Sequence, residues 1–283
     1  MVKYVVVFLF STIYALLLFF TYNPLWVLTI ILSSMVFSTI GTIVSLRRLQ
    51  FLAGEAPHTA LLAVTLSIPL YRILGGFPII YSILLSLCIM YITWFLINKG
   101  IEQNIAVSII VGLTTSLSIV SIYYVLTNYS IEYSLSSIII GDPLLVDLFE
   151  ISMLVILAII CLLITLLTYH EQLSISIDIV STRLSGVNIV VYDLIAYTLI
   201  GIGVVGLLKI VGYILEHVLI LIPSSIATIV SKSAREALML SILLALNSSL
   251  IGLHLSILLN LPPSGLIGFV LLVIYLASMV SRK

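Results

Sequence analysis

The chain has 283 residues, of which 62% are hydrophobic and only 8% are charged, with a mean hydropathy of +1.37. Charged residues make up about a quarter of an ordinary soluble domain, so this composition excludes one and predicts an integral membrane protein. The 11 basic and 11 acidic residues cancel, which leaves no excess of positive charge for binding nucleic acid.

Apolar segments of a length that suits a bilayer follow one another along the chain, since a spanning helix needs about 20 apolar residues. They are 4–22, 25–46, 57–70, 78–98, 105–126, 145–168, 190–207, 211–229, 238–258 and 264–280. The third is short, and we expect its helix to begin near Pro57, because proline is tolerated in a first turn. The sequence predicts an all-α polytopic membrane protein with about 8–10 transmembrane helices. Residues 1–283 are expected to form one membrane domain.

The basic residues predict the orientation, because cytoplasmic loops collect lysine and arginine. Ten spans with a cytoplasmic amino terminus leave only Arg72 and Lys209 outside or buried. The basic residues then placed inside are Lys3, Arg47, Arg48, Lys99, Arg183, Lys232, Arg235, Arg282 and Lys283. This predicts a multi-pass protein of the plasma membrane with both termini in the cytoplasm. The loop 127–144 would be external, and 169–189 would be the longest cytoplasmic loop.

The segment 169–189 has the marks of a short helix outside the membrane. Asp178 could cap its amino end, Gly186 could end it, and Arg183 lies near its carboxyl end, where the helix dipole favours a cation. Such a helix could dock a soluble partner on the cytoplasmic side. An ordinary connecting loop is an equal alternative.

Four ionisable side chains interrupt the apolar runs: Glu55, His58, Glu216 and His217. A charge at the centre of a membrane costs roughly 2.5–3.5 kcal/mol on insertion scales, and such residues usually line a cavity or a path. Glu55 and His58 are three residues apart, close to one helix face. Adjacent residues on a helix point about 100° apart, so Glu216 and His217 cannot both face one narrow path. The alternative for Glu216 and His217 is a neutral side chain that is hydrogen-bonded within the bundle.

The sequence shows no phosphate-binding glycine loop, no Ser/His/Asp arrangement and no Cys/His zinc spacing. We therefore expect a transport subunit without an ATPase site of its own. If ATP drives transport, another subunit must hydrolyse it.

Several short motifs resemble the permease subunits of the zinc/manganese/iron family of ABC importers. They are Arg47-Arg48-Leu49 with Phe51-Leu52 and His58, then Val211-Gly212, Leu219, Ile222-Pro223 and Ala227, and then Asn260-Leu261-Pro262. The family's glycine-aspartate pair falls on Ala53-Gly54, so the acid is displaced to Glu55, and His58 alone carries over directly. The cytoplasmic segment is also similar to the family's coupling segment, with Asp178, Arg183 and Gly186 in the matching positions.

The resemblance implies a permease of the type II ABC importer kind, working as a homodimer. It also implies cytoplasmic ATP-binding subunits docked on 169–189 and an extracytoplasmic metal-binding protein. The cargo would be zinc, manganese or iron, carried as substrate by alternating access, with no permanently bound cofactor. Two alternatives stay open: a cobalamin or iron-chelate ABC permease, and an ATP-independent proton-coupled carrier that uses Glu216 and His217.

Overall fold

A computed structural model describes residues 2–129 and 143–280, and their secondary structure is helical. The helices in chain order are α1 (Val2–Thr21), α2 (Pro24–Leu46), α3 (Gln50–Leu74), α4 (Pro78–Asn98), α5 (Gln103–Asn128), α6 (Leu148–Ile177), α7 (Ile179–Leu184), α8 (Ile189–Val211), α9 (Tyr213–Val230), α10 (Ala234–Leu259) and α11 (Pro263–Val280). A 3-10 turn, Pro143–Leu145, precedes α6. Within the described ranges, eight helices are long and apolar enough to cross a membrane, and α1 and α11 hold shorter apolar stretches. The all-α polytopic fold class is confirmed.

Local sequence signals explain several helix starts. Asn23 accepts a hydrogen bond from the Leu25 amide at 2.9 Å, and Pro24 occupies the first turn of α2. Asp147 and Glu150 form a capping box at the start of α6, with the Glu150 amide 2.7 Å from the Asp147 carboxylate. These side chains bind backbone amides that have no partner within the helix.

The prediction that the third helix begins near Pro57 is wrong. The helix α3 begins at Gln50 and continues to Leu74, with Pro57 and Pro69 inside it. Pro57 is buried among neighbouring helices, a setting in which transmembrane helices tolerate proline. Glu55 and His58 therefore lie in the second and third turns of a 25-residue helix rather than at its start.

Helix α2 lies at the centre of the bundle and packs against α6, α8, α9 and α10. Its close approach to α9 depends on Gly41, because a Cβ atom at that position would lie 2.1 Å from the Ile220 carbonyl oxygen. Helix α3 packs against α4, α5, α8 and α9. The outer faces of α1, α4, α5 and α6 expose large apolar side chains such as Phe20, which is 83% exposed. These faces suit contact with lipid chains.

Buried hydroxyl groups bind mostly within their own helix. Ser33 donates to the Thr29 carbonyl at 2.6 Å, and Thr42 donates to the Ser38 carbonyl at 2.8 Å. A smaller set joins different helices and includes Ser34 with Ser249 at 2.8 Å, Ser45 with Ser224 at 2.9 Å, and Ser241 with the Ser38 carbonyl at 3.2 Å.

Contacts at one end of the bundle agree with part of the predicted orientation. Arg47 bonds to Gln172 near the end of α6, and the Tyr169 hydroxyl bonds to the Ala234 carbonyl at the start of α10. The α2–α3 turn, the α7 segment and the α9–α10 turn therefore share one end, as the lysine and arginine distribution predicts. Residues 130–142 of the expected external loop, including Glu132 and Asp142, lie outside the described residues, as do Arg282, Lys283 and the side chains of Lys3 and Lys209.

Candidate functional site

His58 lies on α3 and faces α5 and α9. Its Nδ1 atom is 3.0 Å from the Thr115 hydroxyl on α5, and its Nε2 atom is 3.0 Å from the Tyr213 hydroxyl on α9. The side chain is only partly buried. His58 is thus held by hydroxyl groups from two other helices and keeps access to space between them.

His217 joins this group from the next turn of α9. Its Nδ1 atom lies 3.2 Å from the Tyr213 carbonyl oxygen, which can only accept, so Nδ1 donates this bond. The His217 ring centroid is 4.9 Å from that of Tyr213 and 6.0 Å from that of His58. We call His58, Tyr213 and His217 the histidine–tyrosine cluster.

Glu216 is not part of this cluster. Its side chain is 0% exposed, and neither carboxyl oxygen has a hydrogen-bond partner among the described residues. Glu216 and His217 therefore face different surroundings, as the rotation between adjacent helical residues predicts.

Glu55 also faces away from the cluster. Its Oε1 atom accepts a hydrogen bond of 2.6 Å from the Thr93 hydroxyl on α4, and its Oε2 atom has no partner among the described residues. The side chain is 0% exposed. Of the four predicted pathway residues, the structure brings His58 and His217 together and holds Glu55 and Glu216 elsewhere. Within residues 2–129 and 143–280, no group of three or more His, Cys, Asp and Glu side chains is placed to hold one metal ion.

An open groove of about 540 Å³ leads to His58 between α3 and α5. Its lining residues are Gln50, Phe51, Gly54, His58, Val107, Ser108, Val111 and Gly112. Gln50 begins α3, so the groove extends from the end of the bundle that carries the α2–α3 turn up to the histidine. The groove reaches the cluster at His58.

The sequence analysis did not identify Tyr213 or Thr115. Tyr213 is one of 15 tyrosines, and it meets His58 across 155 positions of sequence. Its position in the sequence could have indicated a role, because Tyr213 directly follows Gly212, which has a φ of +84° and separates α8 from α9. A tyrosine one turn before a membrane histidine shares a helix face with it.

The predicted short helix in the cytoplasmic segment is present as α7. The Asp178 carboxylate accepts hydrogen bonds from the Val180 amide at 2.9 Å and from the Ser181 hydroxyl at 2.5 Å. The bonds from Ser181, with a further bond from Val180, lower the pKa of Asp178. At the other end, the Gly186 amide donates to the Arg183 carbonyl and the Val187 amide to the Thr182 carbonyl, which is a Schellman motif. Gly186 has a φ of +90°, so the predicted capping roles of Asp178 and Gly186 are confirmed.

Helix α6 continues to Ile177, so 178–188 is the part of the predicted cytoplasmic segment 169–189 that lies between α6 and α8. The exposed side chains of this segment include the apolar Ile179, Val180 and Leu184 and the charged Asp178 and Arg183. The segment presents apolar side chains, one cation and one anion at the same end of the bundle as the α2–α3 turn.

The fold and the buried polar groups define a class: a multi-pass helical membrane protein in which a groove leads to histidines held between helices. The chain belongs to the ABC 3 transport family, whose model matches residues 19–282. It is therefore a membrane transport permease of a metal-uptake family.

A curated relative and two solved structures agree with this assignment. The zinc uptake membrane protein ZnuB of Buchnera aphidicola is 27% identical over 261 residues, which cover 92% of this chain and 97% of that protein. The structure of PsaBC from Streptococcus pneumoniae in complex with Fab has a TM-score of 0.79 and 21% identity, covering 93% of this chain and 94% of that one. An ABC transporter described as metal-chelate type, in an inward-facing conformation, has a TM-score of 0.77 and 15% identity over 99% of both chains. The fold is therefore that of ABC importer permeases.

Proposed function

We propose that this chain imports a divalent transition metal ion, zinc or manganese with iron as a further cargo, as the permease of an ABC importer. The observation that carries this proposal is the histidine–tyrosine cluster at the end of the groove between α3 and α5. Two imidazoles supply nitrogen ligands that suit these metals. A complete tetrahedral cage would hold zinc too tightly for release, so a partial ligand set suits a transport path. The relative named for zinc uptake supports this cargo class.

The partners of the proposed importer are a second copy of this chain, cytoplasmic ATP-binding subunits and an extracytoplasmic metal-binding protein. In this scheme the ATP-binding subunits dock on α7, with Asp178 and Gly186 fixing its shape and Arg183 supplying a charge at its exposed face. In this scheme, both termini lie in the cytoplasm. The metal is the substrate, and ATP hydrolysis belongs to the partner subunit.

The test is metal uptake by proteoliposomes that hold the permease, its ATPase subunit and its binding protein loaded in turn with zinc, manganese and iron. His58→Ala is expected to lower uptake at least tenfold, because it removes the ring at the end of the groove. His170→Ala is the matched control, since His170 is exposed near the end of α6 and should leave uptake unchanged. Unchanged uptake in His58→Ala at equal incorporation would refute the pathway role.

Tyr213→Phe tests the cluster more finely. The substitution removes the hydroxyl that lies 3.0 Å from the His58 Nε2 atom and keeps the ring that packs beside His217. We expect uptake to fall by about threefold to tenfold, since loss of a hydrogen bond to a positioned side chain costs about 0.5–1.5 kcal/mol. The same proteoliposome assay measures it, and wild-type uptake in this variant would show that the hydroxyl does not position His58.

A metal chelate or cobalamin is the second cargo, favoured by the likeness in fold to the metal-chelate type transporter. ATPase activity that responds to a loaded chelate-binding protein and to none of the three metals would select it. The ATP-independent carrier is disfavoured by the geometry, because the Glu216 carboxyl forms no hydrogen bond to His217 among the described residues. Uptake in liposomes without any ATPase subunit would select the carrier.

A further inference from the structure

Arg47 joins three helices at the end of the bundle that carries α7. It caps the carboxyl end of α2, and its guanidinium donates to the Gln172 side-chain oxygen at 2.8 Å and to the Asp193 carboxylate at 2.5 Å. The Gln172 amide in turn donates to the Tyr192 carbonyl at 2.8 Å. We call Arg47, Gln172 and Asp193 the arginine clamp.

The clamp is largely shielded from solvent. The Arg47 side chain is 8% exposed and that of Asp193 is 25% exposed, while Gln172 is 1% exposed as a residue. Shielded ion pairs with additional hydrogen bonds resist separation, because parting them leaves a charge without a partner. A guanidinium can bind two acceptors at once in a fixed geometry, which an ammonium cannot reproduce. The clamp therefore fixes the relative positions of the α2–α3 turn, α6 and α8.

The members of the clamp flank the α7 segment. Gln172 lies six residues before Asp178, and Asp193 lies nine residues after Leu184, so the clamp holds both helices that lead into and out of α7. On the other side, Arg47 precedes the start of α3 by three residues. A force on α7 thus reaches the start of α3 through side chains in direct contact.

A second connection runs from the clamp into the bundle. Helix α8, which carries Asp193, packs directly against α3, and its buried Tyr197 lies one turn beyond Asp193. Glu55 lies on α3, one turn before His58. Helix α3 is continuous from Gln50 to Leu74 and carries His58 eight residues after its start.

We propose that Arg47 is a positioning residue for transport, because the arginine clamp makes α7 and the first turns of α3 move as one unit. The inference rests on the proposed function in one respect, namely that an ATP-binding subunit drives α7. It assigns a role to side chains that do not touch the cargo. The first arginine of the pair 47–48 acts through the clamp, while Arg48 is exposed beside it.

The first test measures metal moved per ATP hydrolysed in the reconstituted complex. Arg47→Lys keeps the positive charge but cannot bind Gln172 and Asp193 at once in the same geometry. We therefore expect ATP hydrolysis within about twofold of wild type, with the metal moved per ATP lowered at least tenfold. Asp193→Asn keeps the side-chain shape but removes its charge, and we expect the same effects as for Arg47→Lys. Arg48→Lys is the matched control and should keep the wild-type ratio. A wild-type ratio in Arg47→Lys, or a fall in hydrolysis and transport by the same factor, would overturn the proposal.

The second test does not depend on the cargo. Spin labels at Phe51→Cys on α3 and Leu184→Cys on α7, in a Cys88→Ser background, replace side chains that are 59% and 83% exposed. In the complex in lipid, the distance between the labels should stay constant between the ATP-bound and nucleotide-free states, and Arg47→Lys should make it change. A distance that changes in the otherwise wild-type complex would refute a single moving unit. If the wild-type complex moves none of the three metals, the proposed cargo fails, and the label distances still decide the clamp.

Discussion

Gly41→Ala is expected to separate α2 from α9. The added Cβ atom would lie 2.1 Å from the Ile220 carbonyl oxygen and 3.0 Å from the Ile220 carbonyl carbon. A carbon and an oxygen that are not bonded rarely approach within about 3.2 Å, so the helices must move apart by about 1 Å. The carbonyl belongs to the backbone of α9 and cannot rotate away as a side chain would.

The change in the free energy of unfolding follows from the loss of packing, which destabilises the variant, and the higher helix propensity of alanine, which stabilises it. Overpacking of a well-packed site costs about 1–3 kcal/mol, and a gap of up to 1 Å along the interface forfeits about a quarter to a half of each dispersion contact. Replacing glycine by alanine in a helix returns about 1 kcal/mol. We expect the free energy of unfolding to fall by about 2 kcal/mol, with the nearby Ser45–Ser224 hydrogen bond of 2.9 Å weakened as well.

The assay is unfolding by sodium dodecyl sulfate in mixed micelles, followed by helical circular dichroism. Gly265→Ala on α11 is the matched control, because a Cβ atom there meets nothing within 4 Å and should leave stability unchanged or slightly raised. The reasoning about close approach would be refuted if Gly41→Ala unfolded within about 0.5 kcal/mol of wild type, the usual range for neutral surface changes. Equal destabilisation by both variants would refute it too.

Three further predictions concern single groups. Thr93→Val removes the hydrogen bond that the buried Glu55 carboxyl accepts from the Thr93 hydroxyl and should lower the free energy of unfolding by about 1–3 kcal/mol. Thr114→Val is its control, because the Thr114 hydroxyl bonds within its own helix, and equal losses in the two variants would contradict the argument. Gly186→Ala places a Cβ at a φ of +90° and should reduce ATPase coupling in reconstituted complexes, whereas Gly186→Asn, which tolerates that region better, should reduce it less. Ser34→Ala removes a hydroxyl bond between α2 and α10 and should cost only about 0.6 kcal/mol in the same unfolding assay, so a loss above about 2 kcal/mol would count against it.

The ten apolar segments each correspond to a long helix, because helix formation inside a membrane follows from local hydrophobicity. The start of α3 was predicted wrongly because of Pro57. Proline leaves the carbonyl group four residues earlier without its helical hydrogen bond, and the sequence does not show whether neighbouring helices shelter that carbonyl. The cap of α7 was predictable for the opposite reason. Asp178 and Gly186 act through bonds to residues within a few positions, and such local geometry can be inferred from sequence spacing.

The candidate site could be predicted only in part. His58 and His217 stand out as ionisable residues in apolar runs, but their meeting depends on how α3 packs against α9. The same packing decides that Glu55 bonds to Thr93 on α4 rather than facing the groove with His58. These contacts span long sequence distances, and their outcome depends on helix rotation, which a single sequence does not define. The metal role of the four residues and the single-domain assignment stay predictions.

The hydroxyl groups that bond within their own helices have a mechanical consequence. A donor satisfied one turn earlier on its own helix, such as Ser33 or Thr42, keeps its partner when that helix slides past a neighbour. Only cross-helix pairs such as Ser34 with Ser249 must break during such a shift, at a cost of about 0.6 kcal/mol each. The hydroxyl groups that bond within their own helices therefore do not resist sliding between helices. The bundle can change shape in a lipid bilayer, which offers no replacement hydrogen bonds.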